Sequence, residues 1–168
     1  MSSHTDQSTE SAALRIVVDD VSGQELAALL RQHLADMYAT SPAESVHALD
    51  LDALRKPEIT VWTAWTETEL AGCGALKELD PANAEIKSMR TATHLTGRGI
   101  ASTLVRHLIA EARGRGYRRL SLETGTQDFF APARRLYARH GFTECGPFAD
   151  YTDDPNSVYM TLALQPPR

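Results

Sequence analysis

Short runs in which apolar and polar residues alternate mark the first half of the chain as strand-rich. The clearest is 58–65, where Ile59, Val61, Thr63 and Trp65 fall on one face. A polar turn at 66–69 separates this run from a second one at 70–79, which predicts an antiparallel hairpin. The strands predicted in this half of the chain are 14–18, 58–65, 70–79 and 84–91.

Helical spacing of apolar residues appears in four other places. From Ser22 to about Met37, leucines recur every three or four residues, and Ser22 is the expected N-cap. A short helical piece is predicted at 48–54. Apolar residues from Ile100 to Ala112 form one stripe at 3.6-residue spacing, and 129–140 predicts a last helix.

The remaining strands, 118–123, 142–145 and 157–164, complete the order βααβββαβαββ. This order predicts an α/β fold with a mixed, twisted central sheet flanked by helices. The sheet is expected to be antiparallel early, with one parallel strand–helix–strand crossover in its second half. Residues 14–164 are expected to form one domain, and the polar residues 1–13 a disordered tail.

Composition excludes several classes of partner. The net charge of −5 argues against nucleic acid. No stretch approaches the roughly 18 apolar residues of a membrane span, and the polar N-terminus has no secretory pattern, so we expect a cytoplasmic protein without a membrane partner. The two cysteines and six histidines show no ligand-like spacing, so no metal is expected. Basic residues concentrate between Ala84 and His140, where an anionic ligand would be favoured.

A glycine-rich turn before a helix is the main candidate for ligand binding. The turn at 96–99 precedes the Ile100 helix, whose free backbone N–H groups and dipole favour phosphate. Gly97, Gly99 and the small Ala101 allow close approach of a ligand, and Arg98 adds positive charge. An ordinary tight turn is the alternative. The sequence has neither the Lys-Ser/Thr pair of a P-loop nor the last small residue of a dinucleotide fingerprint, where Ser102 stands.

Three spaced segments together resemble the GNAT superfamily of N-acetyltransferases, over roughly residues 14 to 164. They are Glu85-Ile86-Lys87-Ser88-Met89-Arg90, Leu95-Thr96-Gly97-Arg98-Gly99-Ile100-Ala101, and Ala133-Arg134-Arg135-Leu136-Tyr137-Ala138-Arg139-His140-Gly141-Phe142. The acetyl-CoA signature of the family, Gln/Arg-x-x-Gly-x-Gly/Ala, is present except that Thr96 occupies its first position. Phe130 stands where many members carry an Asn near the start of the last helix. The chain is most similar to the small bacterial acetyltransferases of this superfamily.

The resemblance implies that acetyl-CoA is the cosubstrate. Its pyrophosphate would lie on the backbone of residues 97–101. Its pantetheine arm would lie between the strands at 84–91 and 118–123, which splay apart in this family. The implied cofactor-binding residues are Met89, Thr91, Thr96, Gly97, Arg98, Gly99, Ile100, Ala101, Ser102, Phe130 and Tyr137.

The resemblance also suggests how the chemistry would run. An acetyl group would pass to an amine of a small molecule or peptide by direct attack in a ternary complex. Tyr137 is the predicted acid for the leaving thiolate, and the backbone N–H of Met89 would polarise the carbonyl. Glu85 is the predicted base, acting directly or through a water, with Glu123 and His47 as alternatives. The predicted substrate-contacting residues are His47, Glu44, Glu123 and Tyr151.

Two other functions stay open at this level. One is a non-catalytic module that binds acyl-CoA, which the departures at Thr96 and Phe130 would suit. The other is an acetyltransferase for protein lysines, which needs an open groove instead of a closed pocket. The exposed strand edges are compatible with a homodimer. The acceptor amine and the preferred acyl chain are not defined by the sequence.

Overall fold

The structure, a computed structural model, describes residues 14–165, and the predicted tail at 1–13 lies outside them. Strands and helices of the described chain follow the predicted order, βααβββαβαββ. The strands are β1 (Arg15–Asp19), β2 (Ile59–Trp65), β3 (Leu70–Asp80), β4 (Asn83–Thr91), β5 (Arg119–Gly125), β6 (Thr143–Cys145) and β7 (Ser157–Ala163). The helices are α1 (Gln24–Thr40), α2 (Leu51–Leu54), α3 (Ile100–Gly114) and α4 (Ala131–Arg139).

One mixed sheet joins all of these strands in the order β1-β2-β3-β4-β5-β7-β6. Only β4 and β5 run parallel, and the other neighbouring pairs are antiparallel. Helix α3 makes the crossover between the two parallel strands. The predicted mixed sheet with one parallel crossover is therefore confirmed. No helix within residues 14–165 is both long and apolar enough to cross a membrane.

Helices cover both faces of the sheet. The apolar stripe of α3, which includes Leu104, Val105 and Leu108, is fully buried. Val105 and Leu108 belong to a core cluster that also contains Leu120 of β5 and Tyr137 of α4. A second cluster forms where apolar residues of α1 and α2 meet side chains of β2 and β3. The predicted stripe thus faces the core, as its 3.6-residue spacing requires.

Strands β4 and β5 pair over only three residues and then diverge. The last register pair is Glu85 with Ser121. Beyond it, β4 contains a bulge against β3, where Ser88 takes a left-handed backbone conformation at φ 56° and its carbonyl accepts a hydrogen bond from Cys73 Sγ at 3.2 Å. A bulge bends the strand that contains it. The β5-facing edge of β4 is therefore unpaired from residue 86 onward.

The starts of three helices differ from the sequence expectations, and several other element ends differ by one to three residues. Ser22 is not the N-cap of α1: Gly23 occupies that position without a side-chain bond, because the Ser22 hydroxyl instead donates to Asp20 Oδ1. Helix α2 begins at Leu51, not at residue 48, since Asp50 caps it by accepting from the Ala53 N–H at 2.8 Å. The last helix begins at Ala131 because residues 128–130 form a tighter 3₁₀ turn.

Candidate active site

A cavity of about 660 Å³ occupies the cleft between the diverging strands. Its walls come from α1, β4, β5, the first turn of α3, and α4 with the turn before it. It contacts all of the predicted cofactor residues except Arg98: Met89, Thr91, Thr96, Gly97, Gly99, Ile100, Ala101, Ser102, Phe130 and Tyr137. Among the predicted catalytic and substrate residues, Glu85, His47 and Glu123 line the cavity as well, whereas Glu44 and Tyr151 do not.

The glycine turn at one end of the cavity has the geometry of an anion cradle. Gly97 and Gly99 both have φ near +80°, a conformation that favours glycine, and the space beside each is open for 4 Å. Among the described residues, the backbone N–H groups of 97–102 have no hydrogen-bond acceptor; the first N–H to find one is that of Thr103, which donates to the Gly99 carbonyl at 3.0 Å. Free N–H groups at the N-terminus of a 15-residue helix are well placed to receive a phosphate.

Thr96, where the sequence departs from the family signature, has a local role. Its hydroxyl donates to the Thr93 carbonyl at 3.0 Å and so closes the 3₁₀ turn that precedes the glycines. The side chain of Thr96 therefore supports the shape of the loop. Arg98 is exposed beside the loop and has no side-chain hydrogen bond within the described part of the chain.

Basic groups that the sequence reasoning missed lie next to this cradle. The Ser102 hydroxyl is 2.8 Å from His140 Nε2 and accepts from Arg106 Nη1 at 3.1 Å. Burial, and then the charges of Arg106 and Arg139, lower the pKa of His140. The sequence indicated the contact between Ser102 and Arg106 only through their i,i+4 spacing on one helix. Their contact with His140 depends on the packing of α4 against α3.

Tyr137, the predicted acid, is buried at 6% exposure but lines the cavity. Its ring packs edge-on against Phe142 at 5.7 Å between centroids, and no residue of 14–165 hydrogen-bonds its hydroxyl. Burial raises the pKa of this phenol well above its usual value. A neutral hydroxyl without a protein partner is free to donate a proton or hydrogen bond to a ligand in the cavity.

Glu85, the predicted base, is not a solvent-facing carboxylate. It is 2% exposed, and its Oε2 accepts a hydrogen bond from Tyr151 Oη at 2.6 Å and lies 3.4 Å from Lys87 Nζ. Lys87 also donates to Tyr151 Oη at 2.9 Å and to the His47 carbonyl at 3.1 Å. Burial, and then the charge of Glu85, raise the pKa of Tyr151. Glu85 and Lys87 of β4 are thus linked to each other, to the Tyr151 hydroxyl and to the His47 carbonyl in one polar network.

Glu123 lies on β5, past its last pairing with β4, and is only half-buried. Its Oε1 accepts one hydrogen bond, from Ser157 Oγ at 3.0 Å. Burial raises the pKa of this carboxyl from 4.5 to about 7. The Ser157 hydrogen bond and the charge of Lys87 oppose this rise, while the charge of Glu85 adds to it. The carboxyl would thus change charge near neutral pH.

The other predicted substrate residues divide between the cavity and its surroundings. His47 lines the cavity, while Glu44 is exposed in the 3₁₀ turn at 43–45. Tyr151 packs against His47 at 5.0 Å, against Phe148 at 5.0 Å and against Tyr159 at 5.5 Å between ring centroids. These aromatic rings pack around the Tyr151 ring, whose hydroxyl donates to Glu85. Tyr151 itself does not line the cavity, so it is linked to the cavity only through residues that do, such as Glu85 and Lys87.

Helix α1 supplies a charged wall that the sequence analysis did not single out. Asp36 Oδ2 lies 2.6 Å from Arg90 Nη2 of β4, and both residues line the cavity together with His33. Burial, and then the charge of Arg90, lower the pKa of His33 to about 4. The i,i+3 spacing of His33 and Asp36 places them on one face of α1. This spacing could not show that the face packs against β4. Within residues 14–165, no group of three or more potential metal-ligating side chains is close enough to hold a metal ion.

One cavity joins an anion cradle, an unpaired strand edge and a tyrosine hydroxyl without a partner in residues 14–165, which suits an elongated ligand with a phosphate at one end. The chain belongs to the acetyltransferase (GNAT) family, whose model matches residues 26–142. It is therefore an acetyl-CoA-dependent N-acetyltransferase, and the predicted fold class and family are confirmed.

Individual relatives agree with this family assignment. The chain is 54% identical over 151 residues to the uncharacterized N-acetyltransferase YsnE of Bacillus subtilis (strain 168), covering 90% of this chain and all of that protein. It is 37% identical over 136 residues to the IAA acetyltransferase of Azospirillum brasilense, covering 80% and 86% of the two chains. The fold matches that of a Bacillus subtilis acetyltransferase in complex with CoA at a TM-score of 0.68, with 22% identity over 90% of this chain and 99% of that one.

Proposed function

We propose that the protein transfers the acetyl group of acetyl-CoA to the amine of a small molecule or peptide by direct attack in a ternary complex. The main support is that one cavity connects the N–H cradle at residues 97–102 with the carboxylates Glu85 and Glu123. Tyr137 lines the same cavity. A thioester bound along it would therefore meet an anion site, an acid and a proton acceptor.

The cradle suits the pyrophosphate of the cofactor, with Arg98 and Arg106 nearby to offset its charge. The pantetheine arm would lie along the unpaired edge of β4, where backbone groups of Met89 and Thr91 can pair with its amides. Met89 has no register partner on β3, because it lies in the bulge. Its N–H is our proposed donor to the thioester carbonyl oxygen, where negative charge develops during attack.

In the proposed reaction the neutral amine nitrogen attacks the carbonyl carbon, so that a C–N bond forms and the C–S bond breaks. The departing thiolate takes the proton of the Tyr137 hydroxyl. The amine must first lose a proton, because an ammonium has no lone pair with which to attack. Three carboxylates line the cavity: Asp36, which is paired with Arg90, Glu85, the base expected from the sequence, and Glu123.

The acceptor end of the cavity favours a compact cationic amine. Two carboxylates face it and α1 forms one of its walls, an arrangement that supports a pocket more than an open groove. A panel of acceptors should therefore begin with small amines and short peptides. Because one relative is named an IAA acetyltransferase, IAA belongs in the panel too.

The first test is thermal unfolding with acetyl-CoA, CoA or NADH, followed by a thiol-release screen of the acceptor panel. A ligand that binds only the native state stabilises it, by about 2.7 kcal/mol at a hundredfold excess over Kd. We expect the midpoint to rise with both CoA compounds and not with NADH, and thiol release to depend on an added amine. A midpoint rise without any amine-dependent thiol release would favour a non-catalytic acyl-CoA-binding module. Release only with protein lysines would favour a lysine acetyltransferase.

A further inference from the structure

We infer that Glu123 takes the proton of the acceptor amine, and that Glu85 is a positioning residue held with Lys87 and Tyr151 in a closed network beside it. This inference rests on the proposed acetyl transfer and assigns different roles to the two glutamates that line the cavity. It differs from the expectation from the sequence, in which Glu85 is the base and Glu123 and His47 are alternatives.

The two carboxylates differ in how fully their oxygens are engaged. Glu85 Oε2 receives the Tyr151 hydroxyl proton and faces the Lys87 ammonium, and the residue is 2% exposed. Both contacts are made by Oε2, and Oε1 has no hydrogen-bond partner within residues 14–165, but a proton on either oxygen would neutralise the carboxylate and so weaken its contacts with Lys87 and Tyr151. Glu123 accepts a single hydrogen bond at Oε1, from Ser157, and its Oε2 has no partner within residues 14–165. Glu123 is half-buried and forms no ion pair within residues 14–165, so protonation at its unpartnered oxygen breaks no existing contact, whereas protonation of Glu85 would discharge an ion pair.

Position along the strands supports the same division. Glu85 belongs to the last register pair between β4 and β5, with Ser121. Glu123 lies two residues further along β5, where the strands have separated and the cavity has opened. A ligand entering the cleft reaches the β5 carboxylate at the point where β4 and β5 no longer bond to each other.

Several titratable or charged groups surround Glu123. From β4 come Lys87 and Glu85, from the segment before β7 come Tyr151 and Asp154, and β7 contributes Tyr159. The His47 ring, from the segment before α2, lines the same cavity. Burial, with the charges of Glu85 and Asp154 adding to it and that of Lys87 opposing it, holds the pKa of Glu123 at about 7. This value suits proton exchange with an amine near neutral pH.

The proton steps balance as follows. An acceptor ammonium gives one proton to Glu123 Oε2, and the resulting neutral amine attacks the thioester carbon. As the C–N bond forms and the C–S bond breaks, Tyr137 gives its proton to the thiolate. The second proton of the new amide nitrogen returns to the Tyr137 oxygen through water. Glu123 then releases its proton to solvent, so one proton leaves for each acetyl group transferred.

The titration of Glu123 can be measured without any acceptor. Protein labelled with ¹³C at the Glu side-chain carboxyl carbon is titrated by NMR, and Glu123→Gln identifies the resonance. We expect a midpoint near 7, which Lys87→Met raises and Glu85→Gln lowers, each by about one pH unit. The matched control Glu67→Gln, an exposed turn residue, should leave the midpoint unchanged. Lys87 lowers the pKa of Glu123 and Glu85 raises it. If Glu85→Gln does not fold, the rise expected in Lys87→Met is sufficient to test whether these neighbours control the titration. A wild-type midpoint between 4 and 5 would overturn the inference.

The chemical role is tested by the pH dependence of kcat/KM, using acetyl-CoA and the best amine of the panel. Glu123→Gln should lower kcat at pH 7 by roughly a hundredfold or more, with an unchanged KM for acetyl-CoA, and should abolish the rising limb near pH 7. Glu85→Gln should keep a rising limb, displaced to lower pH. The opposite result, a limb lost in Glu85→Gln and kept in Glu123→Gln, would return the base to Glu85. Failure of the acetyl transfer itself would appear in the thiol-release screen, independently of the NMR titration.

Discussion

Replacing Glu123 by Gln should stabilise the folded protein, and more strongly at pH 8 than at pH 5. The amide has almost the same shape, and its oxygen can still accept the Ser157 hydroxyl hydrogen bond. The substitution therefore mainly removes the ability of the side chain to become charged. The effect on the free energy of unfolding can be worked out from the pKa of the carboxyl.

Burial raises this pKa from 4.5 to about 7, so between these values the native state binds more protons than the unfolded state. The contribution of Glu123 to the free energy of unfolding then falls as pH rises through this window, and its full penalty is present above about pH 7. A pKa difference of this size corresponds to at most about 3 kcal/mol. Glu123 is only half-buried, and water around it reduces the expected penalty to about 1–2 kcal/mol.

The measurement is urea unfolding of wild type and Glu123→Gln at pH 5 and pH 8, with linear extrapolation to water. The stability gained by the variant should be about 1–2 kcal/mol larger at pH 8 than at pH 5. Comparing the two proteins at each pH cancels groups that titrate in both, and Glu67→Gln is the exposed control. An equal difference at the two pH values would show that the carboxyl titrates normally and that its burial was misjudged.

Three further predictions concern the cofactor loop, the acid and helix α1. Gly99→Glu should abolish acetyl-CoA binding in calorimetry, because its carboxylate would enter the N–H cradle and its backbone would be strained at φ +80°. The control Gly114→Ala, at the far end of α3, should bind acetyl-CoA normally. Binding by both variants would show that the cofactor phosphates lie at another site. Tyr137→Phe should lower kcat at least about tenfold and leave acetyl-CoA affinity nearly unchanged, whereas an unchanged rate at saturating cofactor would remove Tyr137 as the acid. His33 should contribute a loss of about 1–2 kcal/mol of stability as pH falls from 6.5 toward 4, because the unfolded state protonates this imidazole before the native state does. In denaturant unfolding, the stability of the wild type relative to His33→Gln should therefore fall over this range, and a difference that does not change with pH would refute the assignment.

Much of the cofactor half of the site could be predicted from the sequence, because it depends on local backbone conformation. Gly97 and Gly99 take left-handed conformations that few other residues adopt readily, and they come directly before a helix whose apolar stripe fixes its orientation. The family resemblance came from the motif around these glycines together with the segments 85–90 and 133–142, the last of which contains Tyr137. Each of these features depends on residues that are close in sequence or on a repeating pattern.

The acceptor half could not be predicted in the same way. The sequence favoured Glu85 because it lies on the strand expected to open beside the thioester, but no local feature distinguishes it from Glu123 on the neighbouring strand. Tyr151 is 66 positions from Glu85, and Ser157 is 34 positions from Glu123, yet these hydroxyls determine which carboxylate oxygens are occupied. The pairing of Asp36 with Arg90 likewise requires α1 to pack beside β4.

The sequence by itself therefore determined the order of helices and strands and the glycine turn before α3, since hydrophobic periodicity and short-range sterics encode them, and its spaced motifs indicated the family. Only the tertiary structure decided how accessible each of the two acidic side chains, Glu85 and Glu123, is within the cleft. That property depends on burial, on hydrogen bonds from distant segments and on the point at which β4 and β5 separate, and all of these arise when the chain folds.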